Sequence, residues 1–204
     1  GRAQAAKAQA YREVMVDVHV NLHTVSRMYP FIRLAYQFFV HRKDAPLDLT
    51  GTHVSQHICW PWDIDLWMEL NNGRTLTLYD MGRLPLARRV GLIRLLREKR
   101  WSLTMAGVSV RYRRRVRMFE RVEMRSRAVC WDDKFVYLEQ SMWKANGECA
   151  NHALYRSAIT DRNGIVAPET ALAALGKPAP SPVVPAWIAA WIAADAERPW
   201  PPMQ

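Results

Sequence analysis

The chain has 204 residues, half of them apolar and 24% charged, which is the composition of a globular protein with one well-buried domain and an appendage. No apolar run reaches the roughly 20 residues that span a bilayer, and the first residues lack the apolar stretch of a secretory signal, so we expect a cytoplasmic protein without a transmembrane segment. The net charge of +10 comes chiefly from 23 arginines and suits nucleic acid, an anionic membrane surface or a phosphorylated small molecule as partner.

Two segments precede the first predicted strand. Residues 1–27 contain no motif that we can assign, and Met28 is expected to be the natural start, with the preceding residues encoded upstream. Residues 29–42 carry apolar side chains at helical spacing and predict an amphipathic helix. This helix is expected to dock on the core, with a membrane-surface role as the alternative. Its apolar face comprises Phe31, Leu34, Ala35, Phe38 and Phe39.

A strand and a long helix follow. The alternation of residues from Thr52 to Trp60 predicts a strand. Asn71-Asn72-Gly73 then predicts the start of a helix, because asparagine side chains cap free N–H groups. Pro85 and Gly91 predict a kink or a division into two consecutive helices.

The pattern beyond Trp101 predicts an antiparallel meander of four strands, with Asn146-Gly147 as a hairpin turn. The long helix is the large element available to cover the apolar face of this sheet. The four strands are expected at about 102–118, 120–131, 134–146 and 148–161.

The predicted elements divide the chain into three parts. Residues 1–51 form an N-terminal extension with the amphipathic helix, residues 52–165 form the α+β domain, and residues 166–204 form a Pro-rich helical tail. The tail contains an apolar helix at 186–196. We expect it to pack on the domain or on a partner subunit, because a free face with two tryptophans would be an exposed apolar patch.

The loop between the first strand and the long helix concentrates polar side chains. Asp63 and Asp65 are separated by one residue, Glu69 follows, and two asparagines and Gly73 lead into the helix. Carboxylates and free backbone N–H groups thus meet at one strand-to-helix junction. Such a junction suits chemistry on a carbonyl.

The order of these motifs resembles the hotdog fold, and specifically the 4-hydroxybenzoyl-CoA thioesterase-like branch of acyl-CoA thioesterases. The family pattern is Asp-x-Asp-x-x-x-His-x-Asn-Asn-x-x-Tyr, followed by an acidic residue and an arginine on the helix. The chain departs from it at Glu69, where the family usually has His, and at Thr75, where it usually has Tyr. The positions in register are Asp63, Asp65, Asn71, Asn72, Arg74, Asp80 and Arg83.

The resemblance implies a thioester hydrolase acting on a fatty or aromatic acyl-CoA. The family's catalytic carboxylate falls on Asp65, and the backbone N–H groups near Asn72 and Gly73 would polarise the thioester carbonyl. Asp65 and Asp63 could instead form turns, and Glu69 could either share a proton with Asp65 or be a solvated loop residue. Asp80 and Arg83 are expected to form an ion pair.

The densest positive charge lies at residues 111–117. On a strand, Arg111, Arg113, Arg115 and Arg117 would share one face. Guanidinium groups bind phosphates well, so the first three of these are the expected contacts for the phosphates of CoA. No cofactor is expected apart from CoA as part of the substrate.

Two other functions stay open. A hotdog protein that binds acyl-CoA or an acyl carrier without hydrolysis is one alternative, motivated by the missing His. A nucleic-acid-binding protein that uses the arginines and the nine tryptophans is the other, although no nucleic-acid motif is present. The resemblance also implies a homodimer or a dimer of dimers. The scattered cysteines, Cys59, Cys130 and Cys149, predict neither a zinc site nor a disulfide framework.

Overall fold

The computed structural model describes residues 29–202, and the interpretation of Met28 as the natural start concerns residues outside this range. The helices are α1 (Phe31–Val40), α2 (Asn72–Arg89), α3 (Leu92–Lys99), α4 (Pro168–Ala174) and α5 (Ala186–Ala196). The strands are β1 (His53–Ile58), β2 (Ser102–Tyr112), β3 (Arg121–Trp131), β4 (Val136–Lys144), β5 (Cys149–Asp161) and β6 (Gly164–Val166).

The strands form one antiparallel sheet in the order β1-β3-β4-β5-β2, with the short strand β6 paired to β5. Helix α2 lies along one face of this sheet and buries Leu78, Tyr79 and Met81 against Val122 and Met124. A sheet curled around a long helix is the hotdog fold, so the predicted fold is confirmed.

Gly82 sets how closely α2 approaches the sheet. A Cβ atom built on this glycine would lie 2.6 Å from Sδ of Met124 and 2.7 Å from Oγ of Ser126, both on β3. These distances are shorter than van der Waals contact, so a larger residue would require Met124 and Ser126, or the helix itself, to move.

The predicted division of the long helix occurs at Gly91 and not at Pro85. Helix α2 continues through Pro85 to Arg89, and Gly91 then adopts φ +92° before α3 begins. Glycine takes this left-handed conformation without steric cost. The predicted hairpin turn is confirmed as well, with φ +84° at Gly147.

The predicted strand at 102–118 was too long. Strand β2 ends at Tyr112, because the N–H groups of Arg113 and Arg114 both donate to the carbonyl of Ala150, at 2.8 and 3.0 Å, and this breaks the regular ladder. The predicted common face is therefore wrong. Arg111 lies on the strand, while Arg113 and Arg115 lie in the loop that follows.

The predicted contact face of α1 is right only in part, because Leu34 and Phe38 are half-buried while its other residues are exposed. Phe31 and Phe39 are 50% and 60% exposed, whereas Gln37 is buried. The helix docks through polar contacts: Gln37 donates to the carbonyl of Gln56 at 3.2 Å, and Arg33 donates to the carbonyl of Ile58 at 2.8 Å. Hydrogen bonds to the β1 backbone, which a hydrophobic pattern does not show, decide this orientation.

The Pro-rich tail packs on the domain, as predicted. Ile188 of α5 is fully buried against Tyr137 and Leu154 on the face of the sheet opposite α2. Arg156 of β5 pairs with Asp195 at 2.5 Å and adds an ion pair to this apolar contact. The division of the chain at residues 51/52 and 165/166 stays a prediction.

Strand β1 carries a row of buried polar side chains. His53, Ser55 and His57 are all buried, and Oγ of Ser55 lies 2.8 Å from Nε2 of His57. Burial, followed by nearby positive charges, lowers the pKa of His53 to about 4 and that of His57 to about 3. Both side chains are therefore neutral in the folded protein at neutral pH.

We expect the folded protein to lose stability as the pH falls below about 6.5. In this range the unfolded chain binds protons at both histidines, while the folded chain does not until the pH reaches the lowered pKa values, so the free energy of unfolding falls with pH. Each histidine contributes up to roughly 1.4 kcal/mol per pH unit.

Thermal denaturation between pH 7 and pH 4.5 measures this loss. His57→Gln retains a hydrogen-bonding side chain beside Ser55 and is expected to flatten the pH dependence. An equally steep dependence in this variant would contradict the assignment to His57.

Candidate active site

The loop before α2 folds into a short hairpin. After a 3-10 turn at Pro61–Asp63, Ile64 and Leu70 form an antiparallel bridge, and the N–H of Asp65 donates to the carbonyl of Glu69 at 2.9 Å. The N–H of Leu70 donates to the carbonyl of Val116 at 2.8 Å, which fixes the hairpin to the loop after β2. The two candidate acids thus stand at facing positions of one hairpin.

Asp65 organises the tip of this hairpin. Its Oδ1 accepts hydrogen bonds from the N–H groups of Trp67, at 2.8 Å, and Glu69, at 3.4 Å. This is the turn-forming role that the sequence left open for Asp65. The turn uses Oδ1 alone, so its geometry leaves Oδ2 for another partner.

Glu69 pairs with an arginine that was predicted to bind CoA. Its Oε2 lies 2.9 Å from Nε of Arg115, and the glutamate side chain is 28% exposed. The predicted acid and the predicted phosphate contact are therefore neighbours in one site.

Asp63 is buried and lies between two arginines. Its side chain is fully enclosed, with Oδ2 2.7 Å from Nη1 of Arg33 and Oδ1 3.3 Å from Nε of Arg74. Oδ2 also accepts from the N–H of Trp60 at 3.0 Å. These contacts give Asp63 a supporting role, since it ties α1, the 3-10 turn and the start of α2 together.

The first turn of α2 presents two N–H groups. Asn71 is the N-cap residue, as predicted: its Oδ1 accepts from the N–H of Arg74 at 3.0 Å, and its carbonyl accepts from the N–H of Thr75 at 2.8 Å. Within residues 29–202, the N–H groups of Asn72 and Gly73 have no acceptor. Both residues are exposed, so these donors are open to a ligand at the positive end of the helix dipole.

The loop after β2 brings positive charge beside the hairpin. An open depression there is lined by Arg113, Arg114, Arg115, Arg117, Glu120 and Lys144. Arg114 pairs with Glu148 at 2.7 Å, and Lys144 with Glu120 at 3.0 Å, so part of this charge is neutralised within the chain. Tyr112, at the end of β2, donates to the carbonyl of Asn72 at 3.4 Å and joins this surface to the helix start.

Comparison with known proteins identifies the family. The model of the thioesterase-like superfamily matches residues 59–192, which include the hairpin, α2 and the whole meander. The chain belongs to the thioesterase-like superfamily. Among curated relatives, protein THEM6 of Xenopus laevis is 40% identical over 93 residues, and protein THEM6 of Drosophila melanogaster is 29% identical over 136 residues. These matches cover 46% and 65% of this chain, and 45% and 70% of the relatives.

Solved structures support the fold of this thioesterase-like chain. The probable thioesterase YbaW of Escherichia coli aligns with a TM-score of 0.56 at 16% identity, covering 62% of this chain and 98% of its own. The DHNA-CoA thioesterase of Staphylococcus aureus aligns with a TM-score of 0.53 at 12% identity, covering 71% and 91%. A second S. aureus protein, solved in complex with CoA, has the same TM-score and identity, covering 70% and 94%.

Sequence reasoning missed one residue that supports the thioesterase-like site. Arg33 belongs to α1, before the predicted domain, yet it forms the shorter of the two ion pairs with Asp63. The available signal was its position, because Arg33 and Gln37 interrupt the apolar run from Phe31 to Val40. The predicted pair of Asp80 with Arg83 is confirmed.

The cysteine nearest the site is not an activated nucleophile. Cys59 is buried, and burial followed by the charge of Asp63 raises the pKa of its thiol to about 12. The thiol therefore stays protonated at neutral pH. All three cysteines are unpaired, and Cys59 and Cys130 are buried while Cys149 is half-buried.

One cluster in the described part of the chain has the composition of a metal site. Ligand atoms of His41, Asp44 and His53 all lie within 4.8 Å of one another. However, Nη1 of Arg89 lies 3.1 Å from Nδ1 of His53 and 3.4 Å from a carboxylate oxygen of Asp44, which places a fixed positive charge among the ligands. The cluster also lies at the C-terminal end of α2, far from the hairpin.

Between residues 29 and 202, no helix is long and apolar enough to cross a membrane.

Proposed function

We propose that this protein hydrolyses acyl-CoA thioesters at the junction of the hairpin and α2. The observation that carries the proposal is that one short hairpin links Asp65 to a helix start at which, within residues 29–202, the N–H groups of Asn72 and Gly73 have no acceptor. The S. aureus protein solved with CoA supports CoA as the carrier group. The thioesterase-like family supports the reaction class.

The proposed reaction assigns one task to each group. Asp65 activates a water molecule, or attacks directly, at the thioester carbonyl carbon. The N–H groups of Asn72 and Gly73 stabilise the negative charge that develops on the carbonyl oxygen. If water attacks, Asp65 takes its proton and passes it to the sulfur as the carbon–sulfur bond breaks, so CoA leaves as a thiol and the acyl group as a carboxylic acid. If Asp65 attacks, the carbon–sulfur bond breaks to leave an anhydride of Asp65 and the acyl group, and water hydrolyses this anhydride and supplies the proton for the thiolate. Glu69, paired with Arg115, positions the hairpin and can exchange a proton with bound water.

The phosphates of CoA are proposed to bind at the loop after β2. Arg113 and Arg115 lie beside the hairpin, and Arg111 is exposed at the end of the neighbouring strand. Planar guanidinium groups match the geometry of phosphate oxygens. CoA is part of the substrate in this proposal, and no further cofactor is invoked.

We also propose a homodimer in which a second copy covers the hairpin. Leu66, Trp67 and Met68 at its tip are 95%, 77% and 62% exposed, and apolar side chains grouped in this way mark an interaction surface. A dimer of dimers stays possible in this proposal, and the cytoplasmic location stays an expectation from the sequence.

Incubation with a panel of acyl-CoAs tests the activity. We expect release of free CoA thiol, followed with a thiol-reactive dye, from at least one aliphatic or aromatic acyl-CoA. Saturable binding without release would favour the non-catalytic hotdog protein, an alternative supported by the Glu69–Arg115 pair where the family has His. Neither binding nor release, together with steeply salt-dependent binding to oligonucleotides, would overturn the proposal in favour of the nucleic-acid alternative.

A further inference from the structure

An apolar cavity lies behind the second half of α2, at the end of the helix opposite the candidate active site. It has a volume of about 80 Å³, several times the roughly 15 Å³ that holds one water molecule. Its walls come from α2, from strands β2 to β5 and from α4. Its lining residues include Leu86, Ala87, Ala128, Leu138, Ala171 and Leu175.

The chemistry of the walls selects a hydrocarbon. The lining side chains are apolar except for Arg83, Ser157 and the indole N–H of Trp131. The guanidinium of Arg83 is already held by Asp80 and by Gln140, at 3.1 Å from its Oε1, so the cavity offers no free charge to a polar ligand. Cavities of this kind stay dry and accept apolar ligands.

A groove lies between the start of α2 and the cavity. It runs between α2 and the edge strand β2 and is lined on the helix by Leu76, Thr77, Asp80 and Arg83. Arg83 lines both the groove and the cavity, so the two are adjacent along α2. An acyl chain that starts at the hairpin and runs along α2 would therefore point toward the cavity.

The distance from the start of α2 to the cavity sets the length of acyl chain that can reach it. From Gly73 to Arg83 and Ala87 the helix advances by roughly 15 and 21 Å, at 1.5 Å per residue. An extended chain advances roughly 1.2 Å per bond, so about 13 to 17 bonds cover this distance.

We propose that the cavity receives the end of a long aliphatic acyl chain, of about 14 to 16 carbons, whose thioester lies at Asp65. The proposal rests on the proposed function and adds its substrate class. It favours a long aliphatic chain over the aromatic acyl groups that the family resemblance also allows, because an aromatic acyl group is too short to reach the cavity.

Two variants of α4 provide a matched test. Ala171 is buried and lines the cavity, whereas Ala173 on the same helix is exposed. Ala171→Leu is expected to lower kcat/KM for palmitoyl-CoA at least about tenfold, because each methylene kept from burial costs roughly a factor of four, and to leave octanoyl-CoA unchanged. Ala173→Leu is expected to change neither. Leu175→Ala enlarges the cavity and is expected to raise the ratio of stearoyl-CoA to palmitoyl-CoA hydrolysis.

The outcomes separate this proposal from the activity itself. If Ala171→Leu and Leu175→Ala both leave the chain-length ratios unchanged, the cavity does not hold the chain and the proposal is overturned. If the parent protein hydrolyses no acyl-CoA, the proposed function fails. Calorimetric measurement of acyl-CoA binding then tests whether the cavity holds the acyl chain. Tighter binding of palmitoyl-CoA than of octanoyl-CoA, lost in Ala171→Leu, would then support it, and equal binding would overturn it.

Discussion

Asp65→Asn is expected to lower kcat for acyl-CoA hydrolysis by roughly 10²- to 10⁴-fold. An amide neither accepts the proton from water nor attacks the thioester carbonyl. It does keep an Oδ1 atom that can accept from the N–H groups of Trp67 and Glu69, so the hairpin turn is retained. Steady-state kinetics on a hydrolysed acyl-CoA, together with the melting temperature, measure the two effects separately.

Asp161→Asn is the matched control for this change. Asp161 holds a turn in the same way, with Oδ1 accepting from the N–H of Asn163 at 2.7 Å, but it is the last residue of β5, at the turn to β6. The same loss of charge there is expected to leave kcat unchanged. An Asp65→Asn protein that folds normally and keeps full activity would contradict the proposed mechanism.

Asp63→Ala is expected to destabilise the protein by about 3 to 5 kcal/mol. Asp63 is buried, and its removal leaves the guanidinium groups of Arg33 and Arg74 without this counter-charge, while the N–H of Trp60 loses its acceptor. The melting temperature should fall by roughly 6 to 20 °C. Thermal and urea denaturation measure the loss.

Asp44→Ala provides the comparison for the buried carboxylate. Asp44 also contacts two basic side chains, His41 and Arg89, but it is 34% exposed. Exposed pairs contribute less than about 1 kcal/mol, so this variant should melt near the parent temperature. If the two variants lost equal stability, burial of Asp63 would not be the cause.

The sequence predicted the sheet and the helix start because both depend on local patterns. The cap at Asn71 and the turn at Gly147 follow from backbone chemistry within a few residues. The hotdog order of the strands came from the resemblance, since antiparallel pairing alone permits several orders.

The contacts that support the site could not be predicted in the same way. Arg33 and Asp63 are 30 residues apart, and their pairing depends on the angle at which α1 docks. The alternating sequence pattern of a strand continues past Tyr112. Strand β2 nevertheless ends there, because two successive N–H groups donate to the carbonyl of Ala150 on the neighbouring strand β5. In both cases a distant backbone or charged group overrides the local pattern, and only the three-dimensional arrangement reveals it.

The close approach at Gly82 joins properties that would otherwise be independent. The glycine lies between the N–H donors at the start of α2 and the apolar cavity near its end, and it lets the helix approach Met124 and Ser126 of β3 closely. A change that lifts the helix at Gly82 is expected to move both ends of the proposed site. If the thioester and the acyl chain bind as proposed, reaction geometry and acyl-chain length then share one structural control.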